Sequence, residues 1–90
     1  MKLHNLKIKS EFFLDVEDGN KEFEVRYNDR DYNVGDLINF IPIDDYNEPI
    51  EIIGVDTNNL YRIKYILTDK DFPDGLKEGY VVLGIQRIWY

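Results

Sequence analysis

The sequence predicts a mainly β fold with one short helix near its start, and three observations predict it. Apolar and polar residues alternate with a period of two through Leu3–Lys9 and again through residues 22–28. Apolar runs of strand length recur at Leu37–Ile43, 60–67 and 80–88, separated by stretches rich in Gly, Asn, Asp and Pro. Apolar residues at helical spacing stand out at Phe12, Phe13 and Val16.

Each element has its own justification. In the first strand Leu6 and Ile8 share one face, while Asn5, Lys7 and Lys9 share the other. Ser10 can cap the helix that follows, Glu11 suits the positive end of its dipole, and Gly19 can end it in the left-handed conformation. So short a helix, about two turns, must be held by packing of Phe12, Phe13 and Val16 rather than by propensity. Across residues 22–28, Phe23, Val25 and Tyr27 point one way and Glu22, Glu24, Arg26 and Asn28 the other; the apolar side is expected to be core. Val34-Gly35-Asp36 marks a turn. Leu37–Ile43 reads as a buried strand that leaves the sheet or meets an edge at Pro42. A polar loop over 44–49 precedes a short strand at 50–55, a turn at Asp56-Thr57-Asn58-Asn59, and a strand from Leu60. The polar stretch 68–79 is a long loop, and the closing strand, with Val81, Val82, Leu83 and Ile85, is expected to be buried on both faces. Five or six short strands with one helix imply a small, closed or nearly closed sheet.

Ninety residues make one domain, residues 1–90, which buries about 60–65% of its unfolded surface. The absence of cysteine excludes disulfides, a thiolate nucleophile and Cys-based metal sites, and points to a reducing, cytoplasmic compartment. No apolar run approaches the roughly 20 residues of a membrane span, so no membrane partner is expected. The net charge of -7 is unevenly spread. Residues 1–30 hold 6 basic and 7 acidic side chains, residues 31–60 hold 0 and 7, and residues 61–90 hold 5 and 4. Screening confines exposed charges to about 8–10 Å, so a basic cleft built from the two ends is compatible with an acidic middle face.

The densest polar chemistry lies at Gly19-Asn20-Lys21-Glu22-Phe23-Glu24-Val25-Arg26 and Asn28-Asp29-Arg30-Asp31. Lys21 is either a solvated turn lysine or an ammonium presented to a phosphate; desolvated, it can act as base or nucleophile. Glu24 and Arg26 share a strand face, so they either brace the fold as an ion pair or divide a ligand, Arg26 taking phosphate and Glu24 an exocyclic amine. Asn28 or Asp29 can cap the following turn. Arg30 either completes an anion site or pairs with Asp29, Asp31 or Asp36. His4 is the only histidine and reads as structural; no metal site and no cofactor is expected. Tyr32, Tyr46, Tyr61 and Phe72 fall in or near turns, where an exposed ring can stack on an unpaired base. Trp89 and Tyr90 either close the barrel or remain exposed as a partner contact.

Gly19-x-Lys21-x-x-Glu24-x-Arg26, with a short helix before it and Asn28-Asp29-Arg30 and Val34-Gly35-Asp36 after it, resembles the ASCH family of the PUA-like superfamily. His4-x-Leu6-Lys7-Ile8 and the stretch Gly75-Leu76-Lys77-Glu78-Gly79-Tyr80-Val81-Val82-Leu83 are similar to a small bacterial and phage branch of it (DUF3850-like). The resemblance implies a PUA-like pseudo-barrel with a cleft facing the Lys/Glu/Arg motif, and a role in binding RNA or a modified nucleotide. Some relatives hydrolyse acylated cytidine with the motif lysine and a hydroxyl side chain where this chain has Glu24. The closer relatives often carry an acidic residue at the end of the Leu37 strand and a Tyr-Thr-Gly segment after it, where Ile43-Asp44-Asp45-Tyr46-Asn47-Glu48-Pro49 stands here.

Three functions are therefore expected in order. The first is an RNA- or modified-nucleotide-binding module using Lys21, Glu24, Arg26, Asn28 and Arg30. The second is a small amidohydrolase relying on Lys21 with an acid such as Glu24 or Glu78. The third is a protein-interaction module whose acidic middle face, residues 31–56, meets a basic partner. An enzyme is the less expected class, since no Ser-His-Asp set or phosphate-binding glycine loop is present.

Overall fold

The computed structural model describes residues 1–88, so Trp89 and Tyr90 lie outside the described residues. The element order is β1 (Leu3–Lys9), α1 (Ser10–Glu17), β2 (Phe23–Tyr27), β3 (Leu37–Ile43), β4 (Leu60–Thr68) and β5 (Tyr80–Arg87). The strands form one mostly antiparallel sheet in the order β1-β3-β4-β5-β2, curled into a half-barrel. β1 and β3 run parallel, with Leu6 opposite Phe40, and this brings β1 to one edge of the sheet and β2 to the other.

The core fills the concave side. Leu6, Phe13, Ile38, Phe40, Ile63, Val81 and Leu83 are essentially inaccessible, and Ile8, Val16, Tyr32, Tyr61 and Ile85 complete the cluster. α1 drops Phe13 and Val16 into it; Phe12, expected beside them, faces outward instead. Among the described residues no side chain caps this helix. Lys9 occupies the capping position in extended conformation and Ser10 is already helical, so the expected Ser10 cap does not form. Gly19 does end the helix region at φ +79, with its N–H bonded to the Val16 carbonyl at 3.1 Å.

Residues 50–55 do not form the expected strand. β3 pairs with β4 over only three positions, Leu37–Asn39 against Leu60–Arg62, and beyond them a single bridge joins Ile43 to Pro49. Gly54 at φ +80 turns the chain, while Ile52 and Val55 still pack on the core. A bulge at Lys64 between β4 and β5 restores inward parity, so that Ile63 and, three residues on, Ile66 both face the core. β5 is buried on its inner side alone; Tyr80, Val82 and Gly84 on the outer side are half-exposed. Of the ring residues expected near turns, Tyr32 and Tyr61 are buried and Tyr46 and Phe72 are exposed.

His4 and Asp36 tie the start of β1 to the turn before β3. The Asp36 carboxylate accepts hydrogen bonds from His4 Nε2 at 2.9 Å, the Lys2 N–H at 3.0 Å and the Asn33 N–H at 3.0 Å, with the Tyr32 ring stacked obliquely on His4. Burial pushes the Asp36 pKa up, but the His4, Lys2 and Asn33 hydrogen bonds outweigh it and hold the carboxyl at about 2, below the ordinary 3.8. A depressed carboxylate pKa adds stability that is complete above the unfolded value and is lost as pH falls through the folded one. Denaturant melts of wild type and Asp36→Asn should therefore differ most above pH 3.8 and converge as the pH falls towards about 2. A gap that stays constant across that window would contradict this assignment.

Candidate functional site

The decisive local fact is the orientation of β2. In the antiparallel register, Glu24 lies opposite Leu83 and Arg26 opposite Val81, both inner-face residues of β5, so Glu24 and Arg26 also point inward. Glu24 is 5% exposed, whereas Phe23, Val25 and Tyr27 are 47%, 50% and 56% exposed. The expected assignment of the apolar side to the core is thus reversed. The reason is positional: β2 is an edge strand, and its inward side meets the gap across to β1 rather than a closed core.

That gap is bridged by side chains. Arg26 Nη2 donates to the Lys7 carbonyl at 2.6 Å and Arg30 Nη1 to the Asn5 carbonyl at 3.1 Å. Asn5 and Lys7 are two apart on β1, so their carbonyls leave the same edge. Arg26 Nε also donates to Glu24 Oε2 at 2.9 Å, and Lys21 Nζ donates to Glu24 Oε1 and, at 2.7 Å, to the Phe23 carbonyl. One buried carboxylate therefore holds two cations, each of which keeps further donors. Its desolvation is offset because both oxygens are hydrogen-bonded.

These residues line a cleft of about 420 Å³ between the two edge strands, with Lys7, Ile8, Lys9 and Ile43 on one wall and Lys21, Phe23, Glu24, Val25 and Arg26 on the other. Phe12 also lines it. The Lys21 ammonium is 5.0 Å from the Phe23 ring centroid and 5.9 Å from that of Phe12. With Lys7, Lys9, Lys21 and Arg26 against Glu24, the lining is electropositive despite the acidity of the whole chain. Lys21 also borders a second cavity of about 400 Å³, where Glu17 binds Arg87 and accepts from Asn59 Nδ2 at 2.7 Å and the Tyr61 hydroxyl at 3.0 Å. Burial pushes the Tyr61 pKa up to about 12.

Of the residues expected at a site, Lys21, Glu24 and Arg26 come together in the cleft. Asn28 does not line it: its Oδ1 accepts from the Tyr32 N–H at 3.2 Å, as a turn cap does. Arg30 does not line it either, being bonded to Asn5 farther along the seam. Glu78 lies outside the cleft lining. Sequence reasoning missed Lys7, Lys9, Phe12 and Phe23. The signal for the lysines was present in the polar face of β1, but nothing local reveals that β1 and β2 approach. Among the described residues no group of His, Asp and Glu is placed to hold a metal ion, and no helix is long and apolar enough to cross a membrane.

Together these features define a small half-barrel protein with an electropositive cleft at an incompletely closed seam. The chain belongs to the family described as Domain of unknown function (DUF3850), whose model matches residues 3–85. No curated protein matches it. Among solved structures it is similar to one titled "Crystal structure of hypothetical protein PH0355", with a TM-score of 0.60 at 18% identity over 98% of this chain and 100% of that one. At that identity the likeness shows the fold.

The network makes a stability prediction. Glu24→Ala leaves Lys21 and Arg26 facing a cleft without their shared carboxylate, and losing charge-assisted hydrogen bonds of this kind costs about 1.5–3 kcal/mol. Arg30→Ala removes one exposed side-chain bond to a carbonyl and should cost about 1 kcal/mol. Chemical denaturation of the two variants should rank them in that order, and equal losses would show that the carboxylate does not anchor the seam.

Proposed function

We propose that the seam cleft binds RNA or a modified nucleotide, and that the family is a branch of the ASCH group within the PUA-like superfamily. The observation that carries this reading is the lining of the cleft: Lys7, Lys9, Lys21 and Arg26 around one buried carboxylate, with Phe12 and Phe23 beside them. Cations and aromatic rings in one concavity match the two halves of a nucleotide, its phosphate and its base. The motif that carries the family resemblance, Gly19-x-Lys21-x-x-Glu24-x-Arg26, supplies the three residues of the network at its centre.

The roles follow from the hydrogen bonds. Arg26 is committed to Glu24 and to β1, so it acts chiefly as a fixed positive wall. Lys21 uses two acceptors and, with three N–H donors, has one left for a ligand. Lys7 and Lys9 are exposed at the rim and are the natural first contacts for phosphate. A lysine that already donates to a carbonyl and a carboxylate is better set for recognition than for nucleophilic attack, which supports binding over hydrolysis. On the acidic side, Asp44 is occupied in capping its own turn through the Tyr46 and Glu48 N–H groups, which lends the protein-partner reading less support.

Titration with short single-stranded RNA and with modified nucleosides tests this. Saturable, salt-sensitive binding is expected, with log affinity falling by roughly 0.7 per phosphate contacted for each log unit of salt. Lys7→Glu/Lys9→Glu, which alters only exposed rim residues, should abolish it without loss of fold. Product release from an acylated cytidine, lost in Lys21→Ala, would instead make Lys21 and Glu24 catalytic. Unchanged binding in the rim variant would reject the cleft.

A further inference from the structure

The outer face of β2, β5 and β4 is an apolar surface that meets the cleft only at Phe23 and Val25. Its register sets Phe23 opposite Gly84 and Gly84 opposite Tyr65, then Val25 opposite Val82 and Val82 opposite Leu67, with Tyr27 packed edge-on to Tyr80. Phe23, Tyr27 and Tyr65 are each about half exposed or more, Tyr65 reaching 63%. An amphipathic sheet of this size needs only one apolar face to fold, and here that face is the concave one. A second apolar, aromatic surface is therefore surplus to the core and open to a ligand.

Charge identifies the occupant. The charged side chains of β2, β4 and β5 are the cations Arg26, Arg62, Lys64 and Arg87 and one carboxylate, Glu24, which is buried on the other side. On the outer face Arg62 and Lys64 are exposed, with no carboxylate from these strands beside them, in a chain whose net charge is -7. The face is also continuous with the cleft, because Phe23 and Val25 belong to both. Gly84 carries no side chain between Phe23 and Tyr65, and the Tyr65 and Lys64 stems close over it: a β-carbon built there would stand 3.3 Å from Tyr65 Cβ and 3.7 Å from Lys64 Cγ. Phe23 and Tyr65 rise from strands two apart, roughly 10 Å from each other, so the two rings offer separate stacking surfaces along the face.

We propose that this face is a base-stacking platform for single-stranded nucleic acid, which runs from the seam cleft past Phe23 to Tyr65, with Lys64 and Arg62 on the backbone phosphates. Stacking on aromatic side chains and cations along a groove are the two components of sequence-tolerant single-strand binding. The proposal rests on the nucleotide-binding reading of the cleft and extends it from one unit to several, so the ligand is an oligonucleotide rather than a nucleoside.

The experiment compares a nine-nucleotide oligouridylate, the matching oligodeoxythymidylate and uridine 5′-monophosphate against wild type, Tyr65→Ala, Arg62→Ala/Lys64→Ala and Lys7→Glu/Lys9→Glu. An oligonucleotide is expected to bind at least tenfold more tightly than the mononucleotide, and Tyr65→Ala is expected to weaken the oligonucleotide about tenfold while leaving the mononucleotide unchanged. The preferred oligonucleotide names the sugar. No gain with length, or no effect of Tyr65→Ala, overturns the platform while loss of mononucleotide binding in the rim variant still upholds the cleft. Oligonucleotide binding indifferent to Lys7→Glu/Lys9→Glu overturns the cleft and with it the continuous path. Sedimentation as a dimer that Tyr65→Ala disperses, without oligonucleotide binding, would assign the face to a second copy of the chain and reject the proposal.

Discussion

The structure depends on a sheet that curls until its two edge strands face each other but does not close by backbone pairing. Edge strands expose unpaired carbonyls, which must be satisfied by something other than a ladder. Here arginine side chains supply the donors, Arg26 to Lys7 and Arg30 to Asn5. A guanidinium carries several donors on a long stem, so it spans a gap that a neighbouring strand would have to fill. The cost is that a cation must be brought to the inner side of β2, and Glu24 is the charge that makes this tolerable. The cleft is the space left by this mode of closure.

Lys21 connects the regions on either side. It lies just past the Gly19 turn that ends the helix region, binds the same carboxylate as Arg26, stands over the Phe23 ring and borders both cavities. A chain with an acidic balance thereby keeps an electropositive side. Its uncompensated acidic charge falls between positions 31 and 60, where seven carboxylates meet no cation of the same stretch, and there Asp36, Asp44 and Asp56 bind backbone N–H groups of nearby residues. Three of those seven carboxylates are thus engaged in shaping turns.

Periodicity made most of the fold legible. β1, β3, β4, β5 and the helix lie where alternation, apolar runs and turn residues put them, and the turns at Gly19 and Gly35 adopt the positive φ their glycines allow. What the sequence did not disclose is sign and register. A period of two defines two faces without saying which is inside, and for β2 the ordinary choice is inverted by its pairing with Val81 and Leu83. Residues 50–55 have strand composition but no free ladder to join, because β3 and β4 diverge after three pairs. The cleft was legible in Lys21, Glu24 and Arg26, which share a short segment; Lys7 and Lys9 come from a strand whose approach is purely tertiary. Asn28 and Arg30 sit where their neighbours suggested and spend their donors and acceptors on the turn and seam.

The strand order carries a consequence for how the chain is made. β1 and β2, within the first 27 residues, pair only with strands that come later: β1 with β3, which begins at Leu37, and β2 with β5, which begins at Tyr80. β3, β4 and β5 are sequential neighbours and can assemble as a meander, after which the N-terminal segment clasps it from both sides. During synthesis β3 follows this segment closely, but β2 leaves the ribosome well before β5 exists. The segment's solubility while it waits is served by Lys2, Lys7, Lys9, Glu11, Asp15, Glu17 and Asp18, charges spaced so that no long apolar stretch is presented to other nascent chains.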